Sequence, residues 1–544
     1  MTAKTTVAEY LIEQLRAHGV DHIFGVPGDF VLRFMDTMAR CGIPLVGTCD
    51  EQGAGFAADG YARLRGMGAA CITFSVGGLK IANSTAQAYA ERSPVVVISG
   101  APGAAEREAG LLLHHRVREF DTQKRVFEEI TVASTVLDDP DTAPAEIDRV
   151  LAAAMRYKRP VYIEIPRDTV ALRAGRHHVR RQAREQSDAD TLRVAIDEAA
   201  GLLNAAKRPV ILAGEEVHRF SLQDRFMDLV HRSNIPVATT ILGKSVIDED
   251  HPGFIGVYQG GIGRDEVRRY VEESDCVLML GVMMTDMNLG VYTARLDRAR
   301  CIHAVTEKLA IGHHAYEHVL FADFVGGLAD SDLRRHAPGL APAIAAPPPY
   351  LPDAGAAITV ARLFARLNDY IGPDTVVVAD PGDALFGAAD LRVHKSCSFL
   401  APAYYTSLGF SVPAAIGAQL ARPHLRPLVL VGDGAFQMTG MELSTVARLG
   451  LNPIVIVLNN AGYVTERFIM DGAFNDIQPW DYSRIPDVIG AGRGFVVQTE
   501  GELETALAGA LANTASFSII DVRLDRMDAT PTLRRLAGGL ARRR

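Results

Sequence analysis

The chain has 544 residues, 48% of them hydrophobic and 22% charged, with a formal net charge of −9 and a pI near 6.0. This length predicts about three domains, and the negative charge argues against a nucleic-acid-binding protein. The six cysteines lack the spacings of zinc sites, and no apolar run reaches the ~20 residues of a membrane span. We therefore expect a cytoplasmic protein with no membrane and no nucleic-acid partner.

The first block, residues 1–174, alternates helical stretches with short β-rich runs. The runs are AACITFSV, SPVVVISG and RPVYIEIP. This alternation is typical of βαβ units and predicts a parallel sheet. The polar, basic stretch at 173–190 predicts a linker.

The rest of the chain repeats this alternation in two further blocks. Residues 191–336 contain the predicted strands RPVILAGEEV and DCVLMLGVMM, and a Pro/Ala-rich stretch at 337–357 predicts a second linker. Residues 358–544 contain TVVVAD, RPLVLVGDG, NPIVIVLNN and FSIIDVRL. The sequence thus predicts an α/β fold of three domains, 1–174, 191–336 and 358–544, each a parallel sheet flanked by helices.

Two predicted neighbouring strands of the third block end in polar residues. Asp433 follows RPLVLV, and Asn460 ends NPIVIVLNN; the intervening TGMELSTVARLG predicts a helix that ends at Gly450. In open α/β sheets, ligands bind at the carboxyl ends of the strands. Gly462 allows a turn that points a backbone carbonyl inward. Asp433, Asn460 and Gly462 therefore offer three oxygen ligands, which suit Mg²⁺.

The glycines beside Asp433 indicate a phosphate site. Gly432 and Gly434 let backbone N–H groups approach a diphosphate, whose charge a helix N-terminus favours. A GDG tripeptide alone is common in ordinary turns. The spacing to the Asn pair, with strand, helix and strand between, is much more specific.

This segment resembles the cofactor-binding motif of thiamine diphosphate enzymes, and most of the chain resembles the 2-oxo acid decarboxylases, such as pyruvate, indolepyruvate and phenylpyruvate decarboxylase. The resemblance includes FGVPGDF, DEQGAGFAADGYAR, SVGGLKIANSTAQAYAERSPVVVISGAPG, LLLHH, VYIEIPRD, LGKSVIDEDHPGFIGVYQG and ADPGDALF. It implies thiamine diphosphate with Mg²⁺, a pyrimidine-binding first domain, a structural or regulatory middle domain and a diphosphate-binding third domain. It also implies a homodimer or homotetramer with the active site at the subunit interface.

The resemblance assigns cofactor-binding roles to further residues. Glu51 matches the family's glutamate, which hydrogen-bonds the pyrimidine ring, although a glutamate at a helix start is also favoured by the helix dipole. Leu408 matches the apolar wedge that bends the cofactor, and Thr406 matches the carbonyl that accepts from its amine, where pyruvate decarboxylases carry Gly. Asp383, Ala384, Ala435 and Tyr463 fall at other cofactor-binding positions.

The family also uses acids and bases to move protons during product formation. Their matches here are Asp29, His114, His115 and Glu466. His-His is weak by itself, because pairs also occur at 177/178 in the predicted linker and at 313/314 in what reads as a solvated polar helix. For Glu466 the alternative is a surface ion pair with Arg467.

The substrate-pocket prediction rests on residue size. Thr465 stands where pyruvate-specific members carry Ile, which leaves room for a larger substrate. Leu385, Phe386 and Ile469, with Phe468, Leu533 and Leu536, could form an apolar pocket. This favours an aromatic or branched 2-oxo acid over pyruvate, although ordinary core packing explains the same residues.

Two other functions stay open at this point. One is a carboligase related to acetolactate synthase, which would share the Asp433–Asn460 motif and Glu51 but is not expected to carry the paired histidines with GYxxE. The other is a non-catalytic thiamine diphosphate-binding protein. A pure binder has no need of Asp29, His114, His115 and Glu466 as acids or bases.

Overall fold

The structure, a computed structural model, describes residues 5–175, 185–337, 341, 349–394 and 398–541. Residues 176–184 of the first predicted linker, including His177 and His178, lie outside the described residues. So do Cys397 and, in the second predicted linker, most of the residues before 349. Three sheets organise the chain, which confirms the predicted α/β fold of three domains. The predicted limits between the domains stay a prediction.

The first domain is built on a parallel sheet of order β2-β1-β3-β4-β6-β5. Its four central strands, β1, β3, β4 and β6, are buried along their whole length because helices cover both faces. Its elements are α1 (Val7–Ala17), β1 (Ile23–Gly25), α2 (Leu32–Arg40), β2 (Leu45–Gly47), α3 (Glu51–Arg65), β3 (Gly68–Ile72), α4 (Val76–Ala90), β4 (Val95–Ala101), α5 (Ala104–Glu108), α6 (Thr122–Ile130), β5 (Ser134–Val136), α7 (Ala143–Tyr157) and β6 (Val161–Pro166).

The middle domain has a mixed sheet of order β13-β12-β11-β10-β7-β8-β9. Strands β7 to β11 form the predicted parallel sheet, and β12 and β13 extend it in the antiparallel direction. The predicted helix around His313 and His314 is wrong, because these residues lie in the β12–β13 hairpin. The elements are α8 (Ala189–Ala205), β7 (Pro209–Ala213), α9 (Glu216–Arg219), α10 (Gln223–Ser233), β8 (Val237–Thr239), β9 (Phe254–Val257), α11 (Asp265–Glu272), β10 (Cys276–Leu280), β11 (Cys301–Val305), β12 (Lys308–Ile311), β13 (His314–Tyr316) and α12 (Phe321–Asp330), with 3₁₀ turns at Gly260–Ile262 and Arg298–Arg300.

The third domain returns to a fully parallel sheet, of order β15-β14-β16-β17-β19-β18. Its elements are α13 (Val360–Asn368), β14 (Thr375–Ala379), α14 (Asp383–Ala388), β15 (Ser398–Leu400), α15 (Ser411–Ala421), β16 (Arg426–Gly432), α16 (Asp433–Thr439), α17 (Leu443–Arg448), β17 (Ile454–Asn459), α18 (Val464–Ile469), α19 (Ile485–Ile489), β18 (Arg493–Val497), α20 (Glu500–Ala512), β19 (Ser518–Arg523) and α21 (Pro531–Ala541), with 3₁₀ turns at Gly440–Glu442, Ala473–Asn475 and Tyr482–Arg484.

The first and third domains share one hydrophobic core. Helices α3 and α15 pack so closely that a Cβ on Gly417 would lie 1.9 Å from the carbonyl oxygen of Ala57. Phe56 of α3 meets Phe410 edge to face, with ring centroids 5.8 Å apart. The two domains are therefore packed as one unit through this helix pair. No helix within the described ranges is long and apolar enough to cross a bilayer.

A buried ion pair joins the middle domain to the third. Lys244 Nζ lies 2.7 and 2.9 Å from the two carboxylate oxygens of Glu249, and it also donates to the carbonyl of Leu391 at 2.6 Å. Both side chains are almost fully buried. Glu249 in turn accepts from the N–H of Val393 at 3.0 Å. Removal of one partner would leave an uncompensated charge at this junction.

We therefore expect Lys244→Met to lower the free energy of unfolding by about 3–5 kcal/mol, as for other broken buried pairs. Urea denaturation measures the change. Arg193→Met is the control, because Arg193 pairs with Asp190 at 2.9 Å on the open surface, where ion pairs contribute about 0–1 kcal/mol. Equal midpoints for the two variants would contradict the expectation.

Candidate active site

The register of two strands brings the predicted metal ligands together. In the parallel pair β16–β17, Gly432 lies opposite Leu458, so Asp433 and Asn460 emerge at the same edge of the sheet. The Asp433 carboxylate is buried and accepts the N–H of Gly434 at 2.8 Å and that of Gly462 at 3.1 Å. Helix α16 begins at Asp433 itself, six residues before the predicted start, and a 3₁₀ turn at Gly440–Glu442 separates it from α17. Gly450 has φ +64°, as expected of a residue that ends a helix.

The side chain of Asn460 provides the test of whether a cation fits here. Its Oδ1 atom is buried, and it has no hydrogen-bond partner among the described residues. A buried carbonyl oxygen without a partner is unfavourable, and a metal ion beside it removes that penalty. Asn459 faces another way, since its amide donates to Asp521 at 2.8 Å. Asp433 and Asn460 therefore fit an oxygen-ligated cation.

Burial raises the pKa of Asp433 to about 6, and the backbone N–H groups around it partly oppose the shift. The ionised form is thus costly in the protein alone. A divalent cation beside the carboxylate would favour ionisation. The Asp433 carboxylate and the Asn460 oxygen, which has no hydrogen-bond partner among the described residues, thus both favour a cation as the ligand.

The turn after Asn460 has an unusual backbone that is held firmly in place. Ala461 has φ +58° and Gly462 has φ +147°. A Cβ on Gly462 would lie 2.1 Å from the carbonyl oxygen of Asn475, so only glycine fits. Tyr463 donates its N–H to that same oxygen at 3.0 Å, and its ring lies against Gly434.

Arg467 stabilises this turn through its buried guanidinium. It is buried, donates to the carbonyl of Ala461 at 2.9 Å and pairs with Asp476 at 2.8 Å and Asp471 at 3.3 Å. Arg467 therefore does not form the surface ion pair with Glu466 that was the alternative interpretation of Glu466. Glu466 lies on the exposed side of α18.

Asp380 is a site-supporting residue that the sequence analysis did not identify. Its buried carboxylate accepts from Gly409 N at 2.8 Å, from Ser411 N at 2.8 Å and from the Ser411 hydroxyl at 2.6 Å. These bonds fix the segment that carries Leu408 and Thr406. Thr406 is exposed with φ +56°, whereas Leu408 packs against the shared core of the first and third domains.

Asp383 and Ala384 form the first turn of α14, and both are buried. The Asp383 carboxylate accepts from the N–H of Thr530, at 3.0 Å, and from its hydroxyl, at 2.5 Å. Burial raises the pKa of Asp383 to about 6. The carboxylate therefore fastens the segment before α21 to the start of α14, a contact that sequence spacing did not indicate.

Glu51 is the first residue of α3 and is 9% exposed. Its carboxylate lies 3.6 Å from Lys80 Nζ of α4 and beside Gly77, where a Cβ would be 3.1 Å from Oε1. Glu442 of the third domain accepts the N–H of Cys49 at 2.9 Å, two residues before Glu51. Glu442 is a second supporting residue that the sequence analysis missed.

Asp29, His114 and His115 form one cluster. Their ligand atoms all lie within 4.8 Å of one another, and His114 Nε2 is 2.9 Å from Asp29 Oδ2. The His114 ring also lies against Phe30, tilted by 33°, with centroids 5.0 Å apart. Asp29 and the adjacent pair His114-His115, 85 residues further along the chain, thus form one cluster in which the Asp29 and His114 side chains are exposed.

The predicted pocket residues do not share one surface. Phe386 belongs to an apolar cluster with Leu533 and Leu536 of α21, and Phe468 packs against it. Leu385 is fully buried in the third-domain core, so it belongs to the packing that the sequence analysis gave as the alternative. Thr465 Oγ1 lies 3.5 Å from the position of a Cβ on Gly382, and Ile469 is partly exposed.

The middle domain contributes to this cluster, which the sequence analysis did not predict. Ile262 is one of its buried members, and Met287 and Val291 pack against it. Arg535 of α21 donates to the carbonyl of Ile262 at 2.7 Å. The apolar cluster therefore joins α14, α18, α21 and two segments of the middle domain.

The predicted residues fall into two separate groups. Within the described residues, the hydrogen bonds and ion pairs of Glu51 and of Asp29 stay in the first domain. Those of Asp433 stay in the third domain. In the described part of the chain, the hydrogen bonds and ion pairs of Asp29 and His114 do not reach Asp433 or Asn460.

Comparison with known proteins identifies the family. Three family profiles match in order: the thiamine pyrophosphate enzyme N-terminal TPP binding domain at residues 5–125, the central domain at 196–325 and the C-terminal TPP binding domain at 380–522. The indole-3-pyruvate decarboxylase of Azospirillum brasilense is 40% identical over 546 residues, 98% of each chain. The chain belongs to the thiamine diphosphate-dependent 2-oxo acid decarboxylases.

Other relatives in this family have a broader name. The alpha-keto-acid decarboxylase of Mycolicibacterium paratuberculosis is 36% identical over 532 residues, 96% of this chain and 94% of its own. That of Mycobacterium tuberculosis H37Rv is 35% identical over 545 residues, 98% of this chain and 97% of its own. The resemblance seen in the sequence motifs is thereby confirmed at the level of the family and its thiamine diphosphate-binding domains.

The pKa of Asp380 predicts a pH-dependent stability. Burial raises this pKa to about 6, against about 4 in an unfolded chain. The folded state binds the Asp380 proton more tightly than the unfolded chain does. The resulting contribution to the free energy of unfolding is therefore complete below about pH 4 and is lost as the pH rises through about 6. Relative to Asp380→Asn, which does not titrate, the parent should lose about 1 kcal/mol of stability between pH 5 and pH 7.5.

Urea denaturation of the cofactor-free protein and the variant at both pH values measures this change. Asp190→Asn is the control, because the Asp190 side chain is 90% exposed, and its difference from the parent should be the same at both pH values. A parent-minus-Asp380→Asn difference that does not change with pH would contradict the assignment.

Proposed function

We propose that the chain decarboxylates an aromatic or branched-chain 2-oxo acid, such as phenylpyruvate or indolepyruvate, to the aldehyde and CO₂, with thiamine diphosphate and Mg²⁺. The observation that carries the proposal is that the buried Asp433 carboxylate lies at the same sheet edge as the buried Asn460 oxygen, which has no hydrogen-bond partner among the described residues. The cluster of Asp29, His114 and His115 adds the acid–base groups that a simple cofactor binder does not require.

The cation would bind Asp433, Asn460 and the carbonyl of Gly462, with phosphate oxygens and water completing its shell. Gly432 and Gly434 would let the diphosphate approach the backbone, because a Cβ on Gly432 would meet no atom within 4 Å. Ala435, Asp383 and Ala384 would border the same site, and Tyr463 would close it. Thr406 and Leu408 would hold the pyrimidine end.

Thiamine diphosphate, when bound, supplies the nucleophilic carbon that attacks the 2-oxo carbon and accepts the electron pair left by CO₂. Glu51, largely buried at the start of α3, would hold a proton at the pyrimidine ring nitrogen. Asp29, His114, His115 and Glu466 would transfer protons to and from the product carbon and oxygen. The 2.9 Å contact of His114 with Asp29 orients that imidazole.

The active site would form between two copies of the chain, as a homodimer or homotetramer. Glu51 and Asp29 lie in the first domain and Asp433 in the third, and their described contacts stay within those domains. Apolar side chains are exposed around both groups: Val76, Leu79, Leu112, Met438, Met441, Ile469 and Met470. A second copy would bury such side chains and bring the two halves together.

The substrate preference rests on the residues beside the reacting carbon. Thr465 is smaller than Ile, and the apolar cluster of Phe386 and Leu533 with Met287 next to it offers a surface for an aromatic or branched side chain. The reduced cysteines, none of which is in a disulfide within the described ranges, support a cytoplasmic location.

Metal removal tests the cofactor site directly. Asp433→Ala should abolish Mg²⁺-dependent retention of thiamine diphosphate through gel filtration, because the buried carboxylate is the only charged ligand proposed. EDTA treatment of the parent should have the same effect. Asp481→Ala, at an exposed carboxylate near the same edge, is the control and should retain the cofactor. Retention by Asp433→Ala would refute the metal site.

Turnover tests the reaction. Aldehyde release should be faster from phenylpyruvate, indolepyruvate and branched 2-oxo acids than from pyruvate. Glu51→Gln should lose at least 100-fold in kcat, in the range of a lost general acid–base, while it retains the cofactor. Acetolactate without free aldehyde would favour the carboligase, and a fully active Glu51→Gln would remove the proposed role of Glu51.

A further inference from the structure

Helix α4 begins at a strained turn. Ser75 has φ +61° and ψ −70°, and the N–H of Val76 donates to the carbonyl of Phe74 at 2.8 Å. This is a γ-turn with positive φ at its centre, a rare conformation that costs energy for any residue with a side chain. The carbonyl of Ser75 then accepts the N–H of Leu79 at 2.7 Å, so the turn leads directly into the helix.

The side chain of Gln123 holds this turn. Its Oε1 atom accepts the N–H of Ser75 at 2.5 Å. Its Nε2 atom donates to the hydroxyls of Ser99, at 2.8 Å, and Tyr162, at 2.6 Å. The residue is 1% exposed, so these bonds are shielded from water. The amide group is anchored on the sheet at one end and faces the strained turn at the other.

Gln123 also fixes how closely α4 approaches. A Cβ on Gly78 would lie 2.1 Å from Gln123 Oε1, so the first turn of α4 rests directly on the amide. The bonded hydroxyl of Tyr162 donates onward to Glu164 at 2.6 Å, and Arg107 of α5 pairs with that carboxylate. The network therefore runs from α5, next to the histidine loop, to the start of α4.

Helix α4 contacts two predicted parts of the cofactor site. Gly77 lies beside Glu51, and Lys80 Nζ is 3.6 Å from the Glu51 carboxylate. One turn further on, Asn83 donates to the hydroxyl of Ser407 at 2.8 Å, next to Thr406. A shift of the first turn of α4 would thus move the surroundings of both Glu51 and Thr406.

We propose that Gln123 is a positioning residue: it maintains Ser75 in the strained turn and thereby sets α4 against Glu51 and the 406–407 segment. The consequence for catalysis rests on the proposed function. The consequence for the turn itself does not, since it concerns only residues of the first domain.

Glycine adopts positive φ without strain, which allows a rescue experiment. Gln123→Met removes the three hydrogen bonds at similar volume. It should weaken thiamine diphosphate binding at least tenfold in the Mg²⁺-loaded protein, and hydrogen exchange of the amides at 76–80 in the cofactor-free protein should accelerate at least tenfold. Ser75→Gly alone should behave like the parent. The double variant Gln123→Met/Ser75→Gly should recover most of both losses.

Tyr162→Phe is the matched control, because it removes a hydroxyl from the same network and leaves the Gln123–Ser75 bond intact. It should retain parental cofactor binding and parental exchange at 76–80. Parental exchange in Gln123→Met, or a double variant no better than Gln123→Met, would overturn the proposal. If Gln123→Met gives no soluble protein, the double variant should still be soluble. An insoluble double variant would count against the proposal.

The hydrogen-exchange readout separates this inference from the proposed function. Failure of the cofactor to bind the parent protein would refute the proposed function, while faster exchange in Gln123→Met would still support the role of Gln123 in the turn. Parental exchange in Gln123→Met together with an inactive Glu51→Gln variant would leave the proposed function in place and refute the role of Gln123.

Discussion

The parallel register of β16 and β17 is the constraint on which the rest of the site depends. It places a carboxylate and a carboxamide side by side at the carboxyl edge of the sheet, where both are buried. Burial makes this arrangement costly: it raises the pKa of Asp433 and leaves the Asn460 oxygen without a partner among the described residues. A bound cation would offset both costs at once. The turn at Ala461 and Gly462 and the buried Arg467 next to it maintain the geometry of the proposed cation site.

The two halves of the site differ in their physical character. The third-domain half is buried and rigid, with Asp433, Asp380 and Asp383 each accepting backbone N–H groups. The first-domain half is more exposed, and Asp29 and His114 contact each other at the surface. This difference suits the proposed tasks, because metal and diphosphate would need fixed charges, whereas proton transfer would need groups that reach a substrate. Tight packing of α3 on α15 keeps Glu51 fixed relative to the third domain of its own chain.

Backbone strain is found in both halves. Ser75, His115, Thr406 and Ala461 all have positive φ without being glycine. His115 and Thr406 are predicted site residues, Ala461 follows Asn460, and Ser75 precedes the helix whose Gly77 lies beside Glu51. Such conformations persist only where surrounding contacts maintain them. Gln123 does so for Ser75, and Asp380 fixes the segment after Thr406. Buried acceptors outside the proposed site therefore maintain the backbone that would form its surface.

The sequence alone was sufficient for the parts that depend on local pattern. Apolar runs bounded by polar segments gave the main strands. The spacing from Asp433 to Asn460 gave their meeting at one sheet edge, because strand, helix and strand in series form a parallel pair. The motifs also identified the family. Short strands such as β12 and β13 were missed, since runs of three or four residues carry too little periodicity to distinguish them from a helix or loop.

Only the tertiary structure decided which distant residues meet. Asp383 bonds to Thr530, 147 residues away, Glu442 holds the backbone before Glu51, and Met287 of the middle domain joins the apolar cluster of Phe386. It also separated Phe386 from Leu385, which are adjacent in sequence but pack in different cores. Residue type and spacing do not encode such contacts, because they depend on how helices and sheets from separate domains pack against one another.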